Sequence, residues 1–418
     1  MKTYGKYIKP YLCYFIIAPL LMILEVYCDV KIPALSAEII NVGIVNEEGG
    51  QIVSLTVQML IHVVFAIIGG VGASYFATKA AVNFSGDLRM DIFEKIQEFS
   101  FANIDRVSTG SLITRLTNDI TQLQQLVVMC LRMLFRAPGM LIGSIIMAYV
   151  INPKLSTIFF ALVPILSVII YIVLNLSYKK FGVLQEKVDG LNTSIQEILT
   201  NVRVVKAFVR EDYEYTRFLD TNEELKESGL QAYRISILQM PLMTLVVNLA
   251  CVVLIWVGST LVDTGGMQIG DISALITYLT QILMSVNMIA MMFLQSSRAI
   301  VSGKRITEVL HTQITIQNRE SQHLTKKVES GRIQFEHVNF KYYKKSSELV
   351  LKDLTFTIES GETVGIIGST GCGKTSLINL IPRLYDVENG TVYVDGVDVK
   401  EYDLQNLRNG VAVVLQNN

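Results

Sequence analysis

Six stretches of mainly apolar sequence, at about 11–31, 52–78, 133–151, 155–174, 240–262 and 272–293, constrain this chain more than any other feature. Each is close to or above the roughly 20 residues that a helix needs to cross a bilayer. One such stretch also fits a buried helix of a soluble core. Six of them, with little soluble sequence to enclose them, do not. Charged residues make up only 17% of the 418 residues, whereas soluble domains carry about a quarter. The first stretch does not fit a signal peptide, because its apolar run is long, it carries Glu25 and Asp29, and no small-x-small cleavage site follows cleanly.

Lys and Arg orient the spans. Lys2, Lys6 and Lys9 precede the first, and basic residues crowd the segments between spans 2 and 3 and between spans 4 and 5. The short connections hold only Lys31 and Lys154. Both termini are therefore expected on the cytoplasmic side of the plasma membrane. The two long inner segments repeat apolar residues at helical spacing over 84–100 and 181–200. They read as membrane helices continuing into the cytoplasm. Their far ends, 103–110 and 201–212, read as turns that are either solvated tips or docking faces.

Polar residues inside spans are costly. Glu25 and Asp29 lie four apart on one helix face and fit either a substrate-cavity wall or contacts between helices. Asn248 and Asn287 are expected to hydrogen-bond between helices. Arg136 lies near the inner end of its span, where its long side chain can reach the interface.

Residues 1–320 hold 50 Asp, Glu, Lys and Arg, and residues 321–418 hold 23. This step in charge density marks a second, soluble region. Boundaries are expected at 1–315 for a transmembrane domain, 316–331 for a linker and 332–418 for an α/β domain. Residues 333–343 and 349–358 alternate like strands, and 363–367 (TVGII) reads as a short buried strand. Residues 391–399 read as a hairpin around Asp395-Gly396, and 411–416 (VAVVLQ) as a further buried strand.

After 363–367 comes Gly368-Ser369-Thr370-Gly371-Cys372-Gly373-Lys374-Thr375, which fills the phosphate-loop pattern G-x-x-x-x-G-K-[ST] at every position. The glycines let backbone N–H groups curl around phosphate oxygens, and the helix read over 374–383 adds its dipole. Lys374 supplies charge to the outer phosphates, and the Thr375 hydroxyl is a ligand for Mg²⁺. Cys372 is a small filler or a reactive thiol.

The formal net charge of -1 gives no support to nucleic-acid binding. Cys13, Cys28, Cys130, Cys251 and Cys372 form no CxxC pair and are read as free thiols.

Taken together, GSTGCGKT, the run LINLIPRLYDVENGTVYVDGVDV, the terminal VVLQ and the inner turns TGSLITRLTND and NVRVVKAFVRE resemble ATP-binding-cassette (ABC) transporters of the exporter type. The resemblance covers essentially the whole chain. It implies a six-helix α transmembrane bundle with long cytoplasmic helical extensions, followed by an incomplete α/β P-loop nucleotide-binding domain. It implies that Tyr342 stacks on adenine, that Gly368 through Ser376 hold the phosphates of ATP, and that Gln416 contacts Mg²⁺ and senses the γ-phosphate. It also implies that the turns near 103–110 and 201–212 dock on nucleotide domains.

The family's LSGGQ-like loop, Walker B aspartate, catalytic glutamate and switch histidine do not occur in these residues. The expectation is therefore an N-terminal portion of a half-transporter. Its function would be ATP-driven export of a drug, lipid or peptide-like substrate, as a homo- or heterodimer with a second half. The alternatives are a non-hydrolytic subunit or scaffold, a membrane-anchored P-loop kinase and a nucleotide-gated channel.

Overall fold

The computed structural model describes residues 4–44, 49–318, 325–343 and 348–414. The chain divides into two units, one formed by Met1–Phe84 and Gln124–Ala299, the other by Ser85–Leu123 and Ile300–Asn418.

After a short turn α1 (Gly5–Ile8), the first unit is helical: α2 (Leu12–Glu38), α3 (Gly49–Gln97), α6 (Ile120–Ile151), α7 (Ser156–Thr200), α8 (Val202–Ala207), α9 (Glu211–Ile237), α10 (Gln239–Asp263) and α11 (Ile269–His311), the division between units falling inside α3, α6 and α11. Among the described residues, six helical segments are long and apolar enough to cross a membrane. They cover the six stretches named from sequence apart from Leu155, and α3 and α7 continue into the expected extensions, α3 as far as Gln97, three residues short of 100, and α7 to Thr200.

The core of this unit gathers Phe159, Leu166, Met243, Leu254, Leu275 and Tyr278. The Tyr278 hydroxyl donates to Val30 O at 2.8 Å, so its one polar atom is satisfied. Glycine lets α3 and α2 approach closely, because a Cβ on Gly69 would stand 2.8 Å from Leu21 O. Outward-facing positions are apolar too. Val57, Leu60, Val64 and Ile68 of α3 and Leu245, Leu249, Val252 and Trp256 of α10 are all exposed. Water does not tolerate such a surface, and hydrocarbon does. This is a multi-pass membrane protein.

Two expectations about polar residues change. Asn287 donates to Leu283 O of its own helix at 3.0 Å, since the backbone one turn back is the nearest acceptor. Arg136 does not reach outward. Its Nη1 donates to Glu25 Oε1 and its Nη2 to Asp29 Oδ2 at 3.3 Å. A guanidinium inside a helix bundle gains more from two carboxylates than from stretching to an interface.

The second unit holds α4 (Phe101–Val107), α5 (Thr109–Thr114) and a four-stranded antiparallel sheet in the order β2 (Leu351–Ile358), β1 (Ile333–Phe340), β3 (Asn389–Val394), β4 (Val397–Asp398). The helices α12 (Lys374–Leu380) and α13 (Leu404–Gly410) pack on it. Ile333 pairs with Ile358 on one side and Val394 on the other, which sets Phe335, Val392 and Val394 into the core. The hairpin between β3 and β4 turns at Asp395 and Gly396, with φ of 48° and 75°. This is the geometry that an Asp-Gly pair supplies. The Asp395 carboxylate accepts from the N–H groups of Glu329, Ser330 and Arg332 and from the Ser330 hydroxyl.

Three sequence-based elements are corrected. Residues 363–367 join no ladder, and Val364, Ile366 and Ile367 are exposed. Residues 411–414 are likewise not a strand. An apolar run becomes a buried strand only where neighbours supply backbone partners, and among the described residues none flanks these runs. The helix read over 374–383 ends at Leu380, because Ile381–Tyr385 turns back onto the sheet.

Candidate nucleotide site and its helical contact

The phosphate loop leaves 363–367 and enters α12 through two left-handed glycines, Gly371 (φ 86°) and Gly373 (φ 94°). A Cβ on Gly373 would stand 2.8 Å from Leu351 Cδ2, so loop and β2 meet where only glycine fits. The Lys374 ammonium donates to Gly368 O and Ser369 O, each at 2.8 Å, and lies 3.7 Å from Cys372 Sγ. The loop is thus wrapped around its own lysine. Gly368, Ser369, Thr370 and Thr375 are exposed, whereas Ser376 is buried. The site can take a polyphosphate: the loop is accessible, and the Lys374 ammonium that now holds the Gly368 and Ser369 carbonyls is at hand for phosphate oxygens.

Tyr342, two residues past β1, connects this loop to its surroundings. Its hydroxyl shares a 2.6 Å hydrogen bond with the Ser376 hydroxyl. Its ring meets Phe340 at 4.9 Å and Tyr385 at 5.1 Å, both edge-on. Gln416 lies outside the described residues.

Tyr385 was not singled out by sequence. It follows α12 and reaches α4 in the first inner turn. Its hydroxyl donates to Asp105 Oδ2 at 2.6 Å, and its ring lies 6.2 Å from that of Phe101. Burial, then the hydrogen bond and charge of Asp105, raise the Tyr385 phenol above its ordinary value, so it stays a donor. Ala102 packs against the sheet's core cluster. The turn is itself fixed: Ser100 and Asn103 form a reciprocal cap, and Asn103 Nδ2 donates to Gln313 O at 3.0 Å. The turn at 103–110 is therefore a docking face. The other turn, α8 with the residues just after it, leaves Val202, Val204, Phe208 and Val209 exposed.

The arrangement defines a class: a multi-pass helical membrane protein that carries a phosphate loop and a helical contact beside it. Residues 15–286 match the family model described as ABC transporter transmembrane region, and residues 351–418 match the one described as ABC transporter. An uncharacterized ABC transporter ATP-binding protein, YfiB of Bacillus subtilis, is 35% identical over 411 residues, covering 98% of this chain and 71% of that protein. A fatty acid ABC transporter ATP-binding/permease protein of Mycobacterium bovis is 30% identical over 331 residues (79% of this chain, 51% of the relative). An ATP-dependent lipid A-core flippase of Desulfotalea psychrophila is 29% identical over 365 residues (86% and 63%). The chain belongs to the ABC transporter family, as an exporter-type half-transporter with membrane and ATP-binding regions in one polypeptide.

Proposed function

We propose that this chain exports a drug, lipid or peptide-like substrate across the cytoplasmic membrane, driven by ATP, as half of a dimer with an identical or different partner. The transmembrane domain takes residues 1–315, the linker 316–331 and the nucleotide-binding domain 332–418, with both termini cytoplasmic. The names of the relatives, one a fatty acid transporter and one a lipid A-core flippase, favour lipid-like cargo.

Lys374 and the N–H groups of the loop from Gly368 to Ser376 hold the phosphates, and Tyr342 packs on the base. Thr375 and Gln416 hold Mg²⁺. The bound nucleotide supplies the free energy of phosphoryl transfer. The chain's own task is to turn loop occupancy into helix movement. The hydrogen bond between Tyr385 and Asp105 carries this reading, because it ties the segment that follows α12 to the turn that continues into α5 and α6.

The test is ATP-dependent accumulation of labelled lipids and dyes in inside-out vesicles. Accumulation with MgATP that disappears in Lys374→Ala supports the proposal. Accumulation of none, together with no ATPase activity, overturns it.

A further inference from the structure

A cleft of about 530 Å³ opens within the helical unit between α2, α3 and α6, in the size range of small-molecule sites. One wall is apolar: Val63, Ile67 and Val71 repeat every four residues along one face of α3. The other wall carries charge. Arg136 is matched by Glu25 and Asp29. Glu25 is 7% exposed, and its Oε2 is buried without a hydrogen-bond partner. That carboxylate lies against α3, where a Cβ on Gly70 would stand 3.0–3.1 Å from its terminal atoms.

Arg132 lies four residues before Arg136 on α6 and lines the same cleft. Its Nε is buried without a partner, and among the described residues its guanidinium forms no hydrogen bond or ion pair. A guanidinium whose Nε is buried with no acceptor is a costly arrangement. An anionic group that paired with it would relieve that cost. A cationic head would sit between two guanidinium groups. A neutral head would leave Arg132 unmatched in charge.

We propose that this cleft binds an anionic amphiphile, its carboxylate or phosphate paired with Arg132 and its alkyl chain laid along Val63, Ile67 and Val71. This rests on the exporter reading only in making the amphiphile the cargo. The binding site itself stands on the cleft.

The test uses membrane vesicles containing the whole protein and three photoactivatable C16 probes that share one chain and differ in head: carboxylate, primary amine and alcohol. The carboxylate probe is expected to label the peptide spanning 63–74 about tenfold more than the other two. Arg132→Gln should bring its labelling down to that of the alcohol. Arg132→Lys should keep most of it, and Ile67→Trp should abolish it by filling the cleft with the charges intact. Equal labelling by the three probes, labelling outside the cleft, or indifference to Arg132→Gln and Ile67→Trp overturns the proposal. The same vesicles are assayed for MgATP-driven accumulation of the carboxylate. Head-selective labelling without accumulation removes the export reading and leaves the site standing. Accumulation without head-selective labelling removes the site alone.

Discussion

The Tyr385 hydroxyl donates to the Asp105 carboxylate at 2.6 Å, joining residues 280 apart in the chain. A hydrogen bond to a charged acceptor contributes about 1.5–3 kcal/mol. Tyr385→Phe is expected to leave MgATP binding near wild type and to lower transport per ATP hydrolysed by about tenfold. The double variant with Asp105→Ala should add little to Tyr385→Phe, giving a coupling energy of about 1 kcal/mol in a double-mutant cycle. Full additivity would contradict the contact.

Lys374 is held by two loop carbonyls and not by the core. Lys374→Ala should therefore leave the thermal midpoint within a degree or two, while weakening MgATP by about 30-fold or more through the lost charge. Fluorescent ATP-analogue titration reads the affinity, and thermal unfolding reads the fold.

Gly373 has φ 94° and faces Leu351. Gly373→Ala adds backbone strain and a clash, with an expected cost of about 1–3 kcal/mol. It should lower both the thermal midpoint and nucleotide affinity, unlike Lys374→Ala. A variant that loses neither would show that the loop does not need this turn.

Arg136 neutralises Glu25 and Asp29 inside the bundle. Removing one partner of a buried ion pair costs about 3–5 kcal/mol, because the other charge stays buried. Arg136→Met alone should destabilise strongly in thermal unfolding, and the triple variant with Glu25→Gln and Asp29→Asn should recover most of the loss. An equally unstable triple variant would contradict the pairing.

Burial opposes ionisation of Asp395, but the Ser330 hydroxyl and the N–H groups of Glu329, Ser330 and Arg332 overcome it and hold the carboxyl at about 2. Its folded value lies below its unfolded one. The stabilisation is therefore complete above about pH 4 and lost as pH falls toward 2. Allowing for partial solvent screening, it is about 1 kcal/mol. Asp395→Asn keeps the turn, since Asn tolerates positive φ, and should lower the midpoint at pH 7 while flattening its dependence below pH 4.

Hydropathy and spacing carried a good share of this architecture. Span lengths follow from bilayer thickness, the phosphate loop from glycine geometry, and the hairpin from Asp-Gly. What escaped were partners far away in sequence. TVGII has the composition of a buried strand, but composition does not say whether a neighbouring strand stands beside it. Arg136 sits near a span end, and only the packing of α2 against α6 reveals its carboxylates. Tyr385 has no motif of its own. An aromatic following Pro382-Arg383-Leu384 gains its role from α4, whose turn was legible as a feature but not in its contact.

The central claim is tested most directly by MgATP-driven accumulation in inside-out vesicles holding the protein with its partner half. The prediction is accumulation of at least one amphiphile that requires MgATP, is abolished by Lys374→Ala and is reduced about tenfold by Tyr385→Phe. No MgATP-dependent accumulation of any amphiphile, or accumulation that Lys374→Ala leaves untouched, would contradict it.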